Sequence, residues 1–337
     1  MAEDRYLSLA PRERLELLDA ASRQSGLAQA ILEKDYWVCK TLDVLFALPE
    51  LGSHLVFKGG TSLSKVYGLI DRFSEDVDIS FHREFLGFGE ELDPEAAAGK
   101  EQSRRIEALQ QACRDCIREN LLPRLREAIA ALLGGTEDWS LEIDPLDAQT
   151  LLFHFPQAGG PGLAYIVPSV RIELGARSDH WPSEEREIRS YLGEAFGPTI
   201  GKATVRSLAA ERTFWEKATL LHAEVHRPKD KLMPARYARH YHDMARLAES
   251  PVAARALADV ALRERVVAHK AVYFRSGWAR YDLARPASFR LIPPDSRIAA
   301  LKSDHQAMIP MFFNPPPPID EVLDTIADLE TRIRSLA

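Results

Sequence analysis

Residues Phe57 to Phe81, FKGGTSLSKVYGLIDRFSEDVDISF, combine a turn of small residues, a short helical pattern and two aspartates on a predicted strand. The turn is Gly-Gly-Thr-Ser (59–62), and small residues there let a triphosphate approach the backbone N–H groups at the start of a helix. Asp76 and Asp78 are spaced i, i+2, so their carboxylates point to one face of the strand, where one or two divalent ions can bridge them to phosphates. This order predicts metal-dependent transfer of a nucleotide.

Each half of the stretch has a simpler explanation when it is taken alone. Gly59, Gly60, Thr61 and Ser62 also fit an ordinary tight turn in which Thr61 or Ser62 caps the helix. Alternating acids such as Asp76 and Asp78 also occur on strands that face solvent. The two halves together, in this order and spacing, favour phosphate and metal binding.

A third acid is expected, because two-metal sites commonly share three carboxylates. Glu173 lies in VRIELG (170–175), where apolar residues alternate with Arg171, Glu173 and Gly175. This alternation predicts a strand that pairs beside 76–81 and makes Glu173 the candidate third metal ligand. The alternative is an exposed acid that pairs with Arg171.

The second half of the chain contains a candidate phosphate-binding lysine and a basic helix. Lys217 lies beside the apolar stripe of a predicted helix, where it can bind a triphosphate as a point charge or pair with Glu211 or Glu216 at the surface. Further on, Arg239 and Asp243 share one face of the helix in HRPKDKLMPARYARHYHDMARL (226–247). This basic face either meets phosphates of a nucleoside triphosphate (NTP) or RNA, or is a solvated amphipathic helix.

Composition restricts the class of protein. The chain has 337 residues, of which 46% are hydrophobic, and a net charge of −7. It contains no apolar run of the about 18–20 residues that span a membrane and no signal-peptide pattern, so we expect a soluble cytoplasmic protein. The acidic charge excludes a general nucleic-acid coat but not a local basic patch. Cys113 and Cys116 form a CxxC in a helical pattern, and without a second cysteine pair we expect an incidental role.

Periodicity predicts an α+β fold, with a mixed sheet followed by a mainly helical C-terminal region. We expect N-terminal helices over 1–50, a core over 51–205 and the helical region over 206–337, which completes the active site. The predicted helices are 11–48, 62–70, 100–133, 207–226, 235–249, 251–271 and 320–335. The predicted strands are 55–57, 76–81, 140–143, 150–155 and 163–175, the last of which is either one broken strand or two strands.

Five collinear segments resemble the AbiEii/MenT family of nucleotidyltransferase toxins, which belongs to the polymerase-β-like nucleotidyltransferase superfamily. They are EKDYWVCKTLDVLF (33–46), FKGGTSLSKVYGLIDRFSEDVDI (57–79), VRIELG (170–175), ERTFWEKATLLH (211–222) and RHYHDMARL (239–247). The second segment is the most specific of the five.

The resemblance implies an activity and a biological setting. Members are the toxins of type IV toxin–antitoxin or phage-defence (abortive infection) operons and have a cognate antitoxin. They transfer a nucleotide from an NTP, with Mg²⁺, to the acceptor end of tRNA and so block aminoacylation. The core is expected to have the polymerase-β-like nucleotidyltransferase fold.

The resemblance also implies roles for matched residues. Asp76 and Asp78 would bind the metal, Lys217 would contact the NTP phosphates, and Asp243 would match a second essential acid that positions Lys217 or the acceptor. The expected nucleotide-binding residues are Lys58, Gly59, Gly60, Thr61, Ser62, Lys65 and Arg239.

Two other functions remain open from the sequence. The enzyme can instead modify a protein hydroxyl, on a partner or on itself, which the acidic net charge favours and the basic segment 227–242 opposes. A binding-only nucleotide sensor is the third possibility, and the intact pair Asp76 and Asp78 argues against it.

Overall fold

The computed structural model describes residues 4–159 and 167–337, and its internal contacts divide the chain into two units. Unit 1 comprises Met1–Val66 and Ser74–Ser207, and unit 2 comprises Tyr67–Phe73 and Leu208–Ala337. The regions that the sequence analysis separated at residue 50 therefore share one unit. The short segment Tyr67–Phe73 belongs to unit 2 although both of its neighbours in the chain belong to unit 1.

Unit 1 contains a seven-stranded mixed sheet with the strand order β3-β4-β5-β2-β1-β7-β6. Its strands are β1 (Leu55–Lys58), β2 (Asp76–Phe81), β3 (Ser140–Asp144), β4 (Asp147–His154), β5 (Ser169–Gly175), β6 (Ser183–Arg189) and β7 (Lys202–Leu208). β2 lies near the centre, antiparallel to β1 and parallel to β5. The predicted α+β class with a mixed sheet is confirmed.

The strands of the predicted core are largely those expected from alternation. β2 buries Val77 and Ile79 completely, while Asp76 and Asp78 lie on the other face and stay partly exposed. Strands β6 and β7 were not predicted. β6 reads SEEREIR and buries only Ile188, as an edge strand can, so its sequence carries almost no apolar signal. Of the predicted strand 163–175, residues 163–166 lie outside the described residues.

Along the chain, the helices of unit 1 lie before and between these strands. They are α1 (Arg5–Ser8), α2 (Pro11–Ser25), α3 (Gln29–Ala47), α4 (Gly59–Lys65), α5 (Gly99–Cys116), α6 (Leu122–Leu133) and α7 (Tyr191–Phe196). The predicted helix 11–48 is divided at Gly26, which ends α2 in the left-handed conformation. The predicted helix 100–133 is divided by a π-helical turn, Ile117–Leu121, that precedes Pro123.

Two further features of unit 1 bear on its chemistry. Every residue from Ile31 to Leu42 on α3 is buried, including charged ones, so this helix is enclosed on all sides. Cys113 and Cys116 lie on α5 as buried free thiols.

Unit 2 is helical. After the segment Tyr67–Phe73 it contains α8 (Ala210–Val225), α9 (Ala238–Glu249), α10 (Pro251–Ala258), α11 (Val260–Tyr273), α12 (Asp295–Met308) and α13 (Ile319–Arg334). The predicted helix 251–271 is two helices, because Asp259 ends α10 and its side chain caps α11 by accepting from the Leu262 N–H. Helix α12 was not predicted. None of the helices in the described residues has the length and apolar character needed to cross a membrane.

Candidate active site

Two groups of functional side chains stand out, one in each unit. The first is the acid pair, Asp76 and Asp78, on β2 of unit 1. In the sheet, Asp78 lies opposite Lys58 of β1 and opposite Glu173 of β5. The strand alternation therefore directs both carboxylates to one face, as their spacing predicted.

The absence of a side chain at Gly59 leaves space for the carboxylate of Asp78. Gly59 begins α4 with φ +82°, and a Cβ built on it would overlap the carboxylate of Asp78. Only glycine combines this backbone conformation with so close an approach of an acidic side chain. Lys58 precedes it, and its Nζ lies 3.9 Å from Asp78 Oδ1. Lys58, Gly59 and Gly60 are all partly exposed, so the predicted nucleotide-binding turn is accessible on this side.

The other predicted residues of the turn are buried. The Thr61 hydroxyl donates to the backbone carbonyl of Asp76 at 2.5 Å, and the Ser62 hydroxyl donates to the Gly59 carbonyl at 3.0 Å. Thr61 thus fastens α4 to the first residue of β2. The side chain of Lys65 is buried and ion-paired with Asp35 at 2.9 Å, and the Asp35 charge, working against burial, raises the pKa of Lys65. These placements favour positioning roles over direct phosphate contact.

Glu173 pairs in register with Asp78, so the predicted neighbouring strand is confirmed. Its carboxylate, however, accepts from Arg171 Nε at 3.0 Å, the alternative that the sequence left open. Within residues 4–159 and 167–337, no group of three acidic, histidine or cysteine side chains is arranged to hold a metal ion. A ligand role for Glu173 remains a prediction.

The second group is the ionic cluster of unit 2: Arg72, Lys217 and Asp243. Arg72 donates two hydrogen bonds to Asp243, from Nε to Oδ1 at 2.8 Å and from Nη2 to Oδ2 at 2.7 Å. Lys217 Nζ, from α8, donates to the same Oδ2 at 2.8 Å. Asp243 is completely buried and Lys217 is 8% exposed. The sequence-predicted pair Lys217 and Asp243 is therefore in direct contact.

Charge in the ionic cluster is unbalanced. Two cations and one carboxylate sum to a formal charge of +1. Burial alone would raise the pKa of Asp243, but the charges and hydrogen bonds of Arg72 and Lys217 outweigh it and hold that pKa well below its usual range. Burial lowers the pKa of Lys217, against the opposing charge of Asp243. The cluster thus contains an ionised aspartate that orients Lys217. The Lys217 ammonium has three N–H donors and uses one of them on Asp243.

Neighbouring residues of α9 extend this environment. Arg239 lies one turn before Asp243, and its charge, with that of Lys217, adds to burial in lowering the pKa of His240 well below its usual value. His240 is therefore neutral, and its Nδ1 is buried with no hydrogen-bond partner in the described chain. His242 points to a different partner, since its Nε2 lies 2.9 Å from Asp71 Oδ1.

Sequence reasoning missed several charged residues that the structure connects to these groups. Arg72 lies in a stretch that reads as a loop, and its partner Asp243 is 171 positions away. Lys34 and Asp35 sit in a helix whose apolar pattern suggested core, and only their enclosure on all sides marks them as unusual. A signal was present in EKDYW (33–37), where three charged residues precede a run of aromatic and apolar ones.

The chain is similar to a known protein family and to solved structures. The family model described as "Nucleotidyl transferase AbiEii toxin, Type IV TA system" matches residues 42–325. A similar solved structure is MenT4, the nucleotidyltransferase toxin Rv2826c from Mycobacterium tuberculosis H37Rv. It has a TM-score of 0.52 and 21% identity, over 94% of this chain and 87% of that one. JHP933 from Helicobacter pylori matches with a TM-score of 0.42 and 15% identity, over 91% of each chain. No curated protein matches.

The family model covers most of the chain, including both units, and the MenT4 likeness supports the fold. The matched range contains the acid pair and all three residues of the ionic cluster. The chain therefore belongs to the AbiEii family of nucleotidyltransferase toxins of type IV toxin–antitoxin systems.

Proposed function

We propose that this protein transfers a nucleotide from an NTP to the 3′ acceptor end of tRNA with the help of Mg²⁺, that this blocks translation, and that a cognate antitoxin counteracts it. The observation that carries the proposal is the acid pair, with Asp78 set against Gly59 at the accessible end of the Gly-Gly turn. Family membership supplies nucleotidyl transfer and the toxin role. The tRNA acceptor and the metal go beyond it.

The donors present suit a magnesium ion. Asp76 and Asp78 offer two partly exposed carboxylates on one face of a strand. Mg²⁺ is commonly bound by one or two carboxylates, with substrate phosphates and water completing its ligands. When bound, the ion neutralises phosphate charge and so assists departure of pyrophosphate. Asp76 and Asp78 would hold it, and Lys58 would add a positive charge beside them.

Within unit 2, the ionic cluster is suited to binding the phosphate groups of a nucleotide or RNA. Lys217 uses one N–H on Asp243, which leaves two donors for phosphate oxygens. Asp243 is buried, so its role is to orient Lys217 rather than to touch substrate. Arg72 fixes the aspartate in turn through its planar, two-pronged contact. Arg239, one turn away, supplies further positive charge for the nucleotide.

A polyanionic acceptor is supported by the basic loop, residues 226–237, which joins α8 to α9. Its Lys229, Lys231 and Arg236 are exposed. At 1.5 Å per residue, the loop begins and ends about 8–12 Å along these helices from Lys217 and Asp243. That spacing suits an RNA backbone whose terminal nucleotide reaches the cluster.

The basic loop is held in place from α12. Arg297 Nη2 donates to the carbonyls of Pro228 and Lys231, at 2.7 and 2.5 Å. The carboxylate of Asp304 accepts from the N–H groups of Arg236 and Ala238, at 2.6 and 2.7 Å. The backbone of the loop is thus fixed while the side chains of Lys229, Lys231 and Arg236 are exposed.

The proposal is tested with four α-labelled NTPs, total tRNA and Mg²⁺, using wild type beside Asp76→Asn. We expect label on tRNA from one or more NTPs with wild type only. Label on protein instead would replace the acceptor with a protein hydroxyl. NTP binding by calorimetry without label on any acceptor would leave a nucleotide-binding module and contradict the proposal.

A further inference from the structure

Helix α3 carries three consecutive charged residues that are all buried: Glu33 is 7% exposed, Lys34 3% and Asp35 2%. Charged side chains are almost never this enclosed unless they are paired. Each of the three binds a different part of unit 1. Glu33 accepts from the Ala158 N–H at 2.6 Å, beyond the end of β4, while Lys34 and Asp35 reach the elements that carry the acid pair.

Lys34 joins the beginnings of the two central parallel strands. Its Nζ donates to Glu75 Oε2 at 2.5 Å and to the Val167 carbonyl at 2.9 Å. Glu75 is the residue directly before Asp76 on β2, and Val167 lies two residues before β5. Lys34 therefore restrains β2 and β5 near their first residues, and the first residue of β2 is Asp76.

Asp35 holds the other side of the acid pair. Its carboxylate is 2.9 Å from Lys65 Nζ and accepts from the Tyr191 N–H at 2.6 Å. Lys65 also lies 3.7 Å from the centroid of the Tyr191 ring. Lys65 is the last residue of α4, the short helix whose first residue, Gly59, lies against Asp78. Adjacent residues of α3 thus restrain the strand with the acids and the helix beside it.

Stability alone is a poor explanation for these two pairs. Removing two charges from water costs free energy that their attraction often fails to recover, and apolar residues of similar size are frequently as stable or more so. What a hydrogen-bonded ion pair supplies and an apolar contact does not is a fixed geometry. Divalent-cation sites depend strongly on the residues that orient their ligands.

From this geometry we infer that Lys34 and Asp35 are positioning residues, with Lys34 acting through Glu75 on Asp76 and Asp35 acting through Lys65 on α4. Together they hold the carboxylates of Asp76 and Asp78 in the arrangement that a divalent cation and a nucleotide require. The inference rests on the proposed function, both for cation binding at the acid pair and for its consequence in catalysis, but the cation titration needs no acceptor and can be read without the transfer assay.

The test replaces the Lys34–Glu75 pair with apolar residues of similar size, Lys34→Met with Glu75→Leu. We expect the melting temperature to stay within about 3 °C of wild type or to rise. We expect the affinity for Mn²⁺, measured by electron paramagnetic resonance on the protein alone, to fall about 10-fold or more. The kcat for labelled-nucleotide transfer should fall by a similar factor, and Lys34→Arg, which keeps both contacts, should recover part of each loss.

Lys40 provides a matched control on the same helix. It is also buried, at 7% exposed, and pairs with Asp43 at 2.9 Å and Asp4 at 3.4 Å, none of which belongs to β2, β5 or α4. Lys40→Met with Asp43→Leu removes an equivalent pair. We expect wild-type Mn²⁺ affinity and kcat in this control.

The outcomes separate the positioning role from the proposed function. If wild type transfers no nucleotide, the proposed function fails, while the Mn²⁺ titration still decides the positioning role. A stable double variant with wild-type Mn²⁺ affinity would overturn that role. If the double variant does not fold, Lys34→Gln with Glu75→Gln takes its place, and failure of both to fold would show that the pair is needed for folding and contradict the inference.

Discussion

The acid pair of unit 1 and the ionic cluster of unit 2 differ in both exposure and the sign of their charge. Asp76 and Asp78 are partly exposed and carry two negative charges, and Lys58 lies at the long distance of 3.9 Å from Asp78. The ionic cluster is buried and has an internal counter-ion, and its net charge is positive. The first group is suited to bind a cation from solution and the second to bind an anion.

This difference separates what each group contributes to folding. A partly exposed carboxylate keeps most of its hydration, so losing its charge has little effect on stability. A fully buried carboxylate that holds two cations cannot be removed without leaving those cations in a low-dielectric interior. Substitutions in the two units should therefore affect activity and stability in different proportions.

The largest expected effect is that of Asp76→Asn or Asp78→Asn on nucleotide transfer. We expect a loss on the order of 10³-fold, because the amide is a much weaker ligand for a divalent ion, with an unfolding free energy within about 1 kcal/mol of wild type. Growth inhibition on expression should disappear with the transfer. Glu142→Gln, an exposed strand acid of the same sheet, is the matched control and should keep full activity. A folded Asp76→Asn protein that still transfers nucleotides would contradict the assignment of the acid pair as the catalytic metal ligands.

Asp243→Asn should cause a mixed loss. Arg72 and Lys217 would remain buried beside a neutral amide, and we expect a decrease of about 3–5 kcal/mol in the free energy of unfolding, measured in urea. Transfer should fall with it. By comparison, Lys217→Met leaves Asp243 held by both Arg72 hydrogen bonds in a neutral pair, so its stability should change by less than half as much while transfer still falls about 100-fold. Equal destabilisation by the two variants would show that Lys217, not Arg72, is the principal counter-ion.

The acid pair was predictable from sequence because its information is local. Asp76 and Asp78 are two positions apart, and strand alternation suffices to place both on one face. The apolar partners Val77 and Ile79 also identify the strand. The same alternation placed Glu173 on the neighbouring strand, and the register Asp78 to Glu173 agrees with it.

The ionic cluster could not be derived in this way. Lys217 and Asp243 lie on different helices, and only the family resemblance linked them. Arg72 joins them from a segment that belongs to unit 2 although both its neighbours in the chain belong to unit 1. Helical periodicity describes which face of each helix is apolar, but it does not say which buried charges meet across helices. The buried pairs of α3 were missed for the same reason.

Gly59→Ala should test how closely Asp78 depends on the turn. The substitution places a Cβ in the volume of the Asp78 carboxylate and imposes a left-handed backbone on alanine, so we expect about 1–3 kcal/mol of destabilisation and a loss of transfer of about 10–100-fold. Gly87→Ala is the control, because Gly87 has a similar φ of +85° and nothing lies within 4 Å of the position that a Cβ would take there. It should show the backbone cost without the loss of transfer. Equal losses in both variants would assign the whole effect to the backbone.

The smallest expected effect concerns pH, and it again distinguishes the units. Burial lowers the pKa of His82 in unit 1 and of several histidines in unit 2, namely His222, His226, His240, His242 and His305.

His242 is the sharpest case, because burial lowers its pKa from 6.5 to about 4 despite the nearby charges of Asp243 and Asp71. Between pH 6.5 and about pH 4, the imidazole of His242 binds a proton in the unfolded chain but stays neutral in the folded protein. The stability that neutral His242 provides is therefore complete above about pH 6.5 and decreases as the pH falls towards about 4, by at most about 1.4 kcal/mol per pH unit. Hydrogen exchange, corrected for its intrinsic pH dependence, should show α9 losing protection between pH 7 and pH 5 while β2 and β5 retain theirs. His242→Gln should reduce that loss, and a loss that is equal in both units, or unchanged by the substitution, would place the sensitive groups elsewhere.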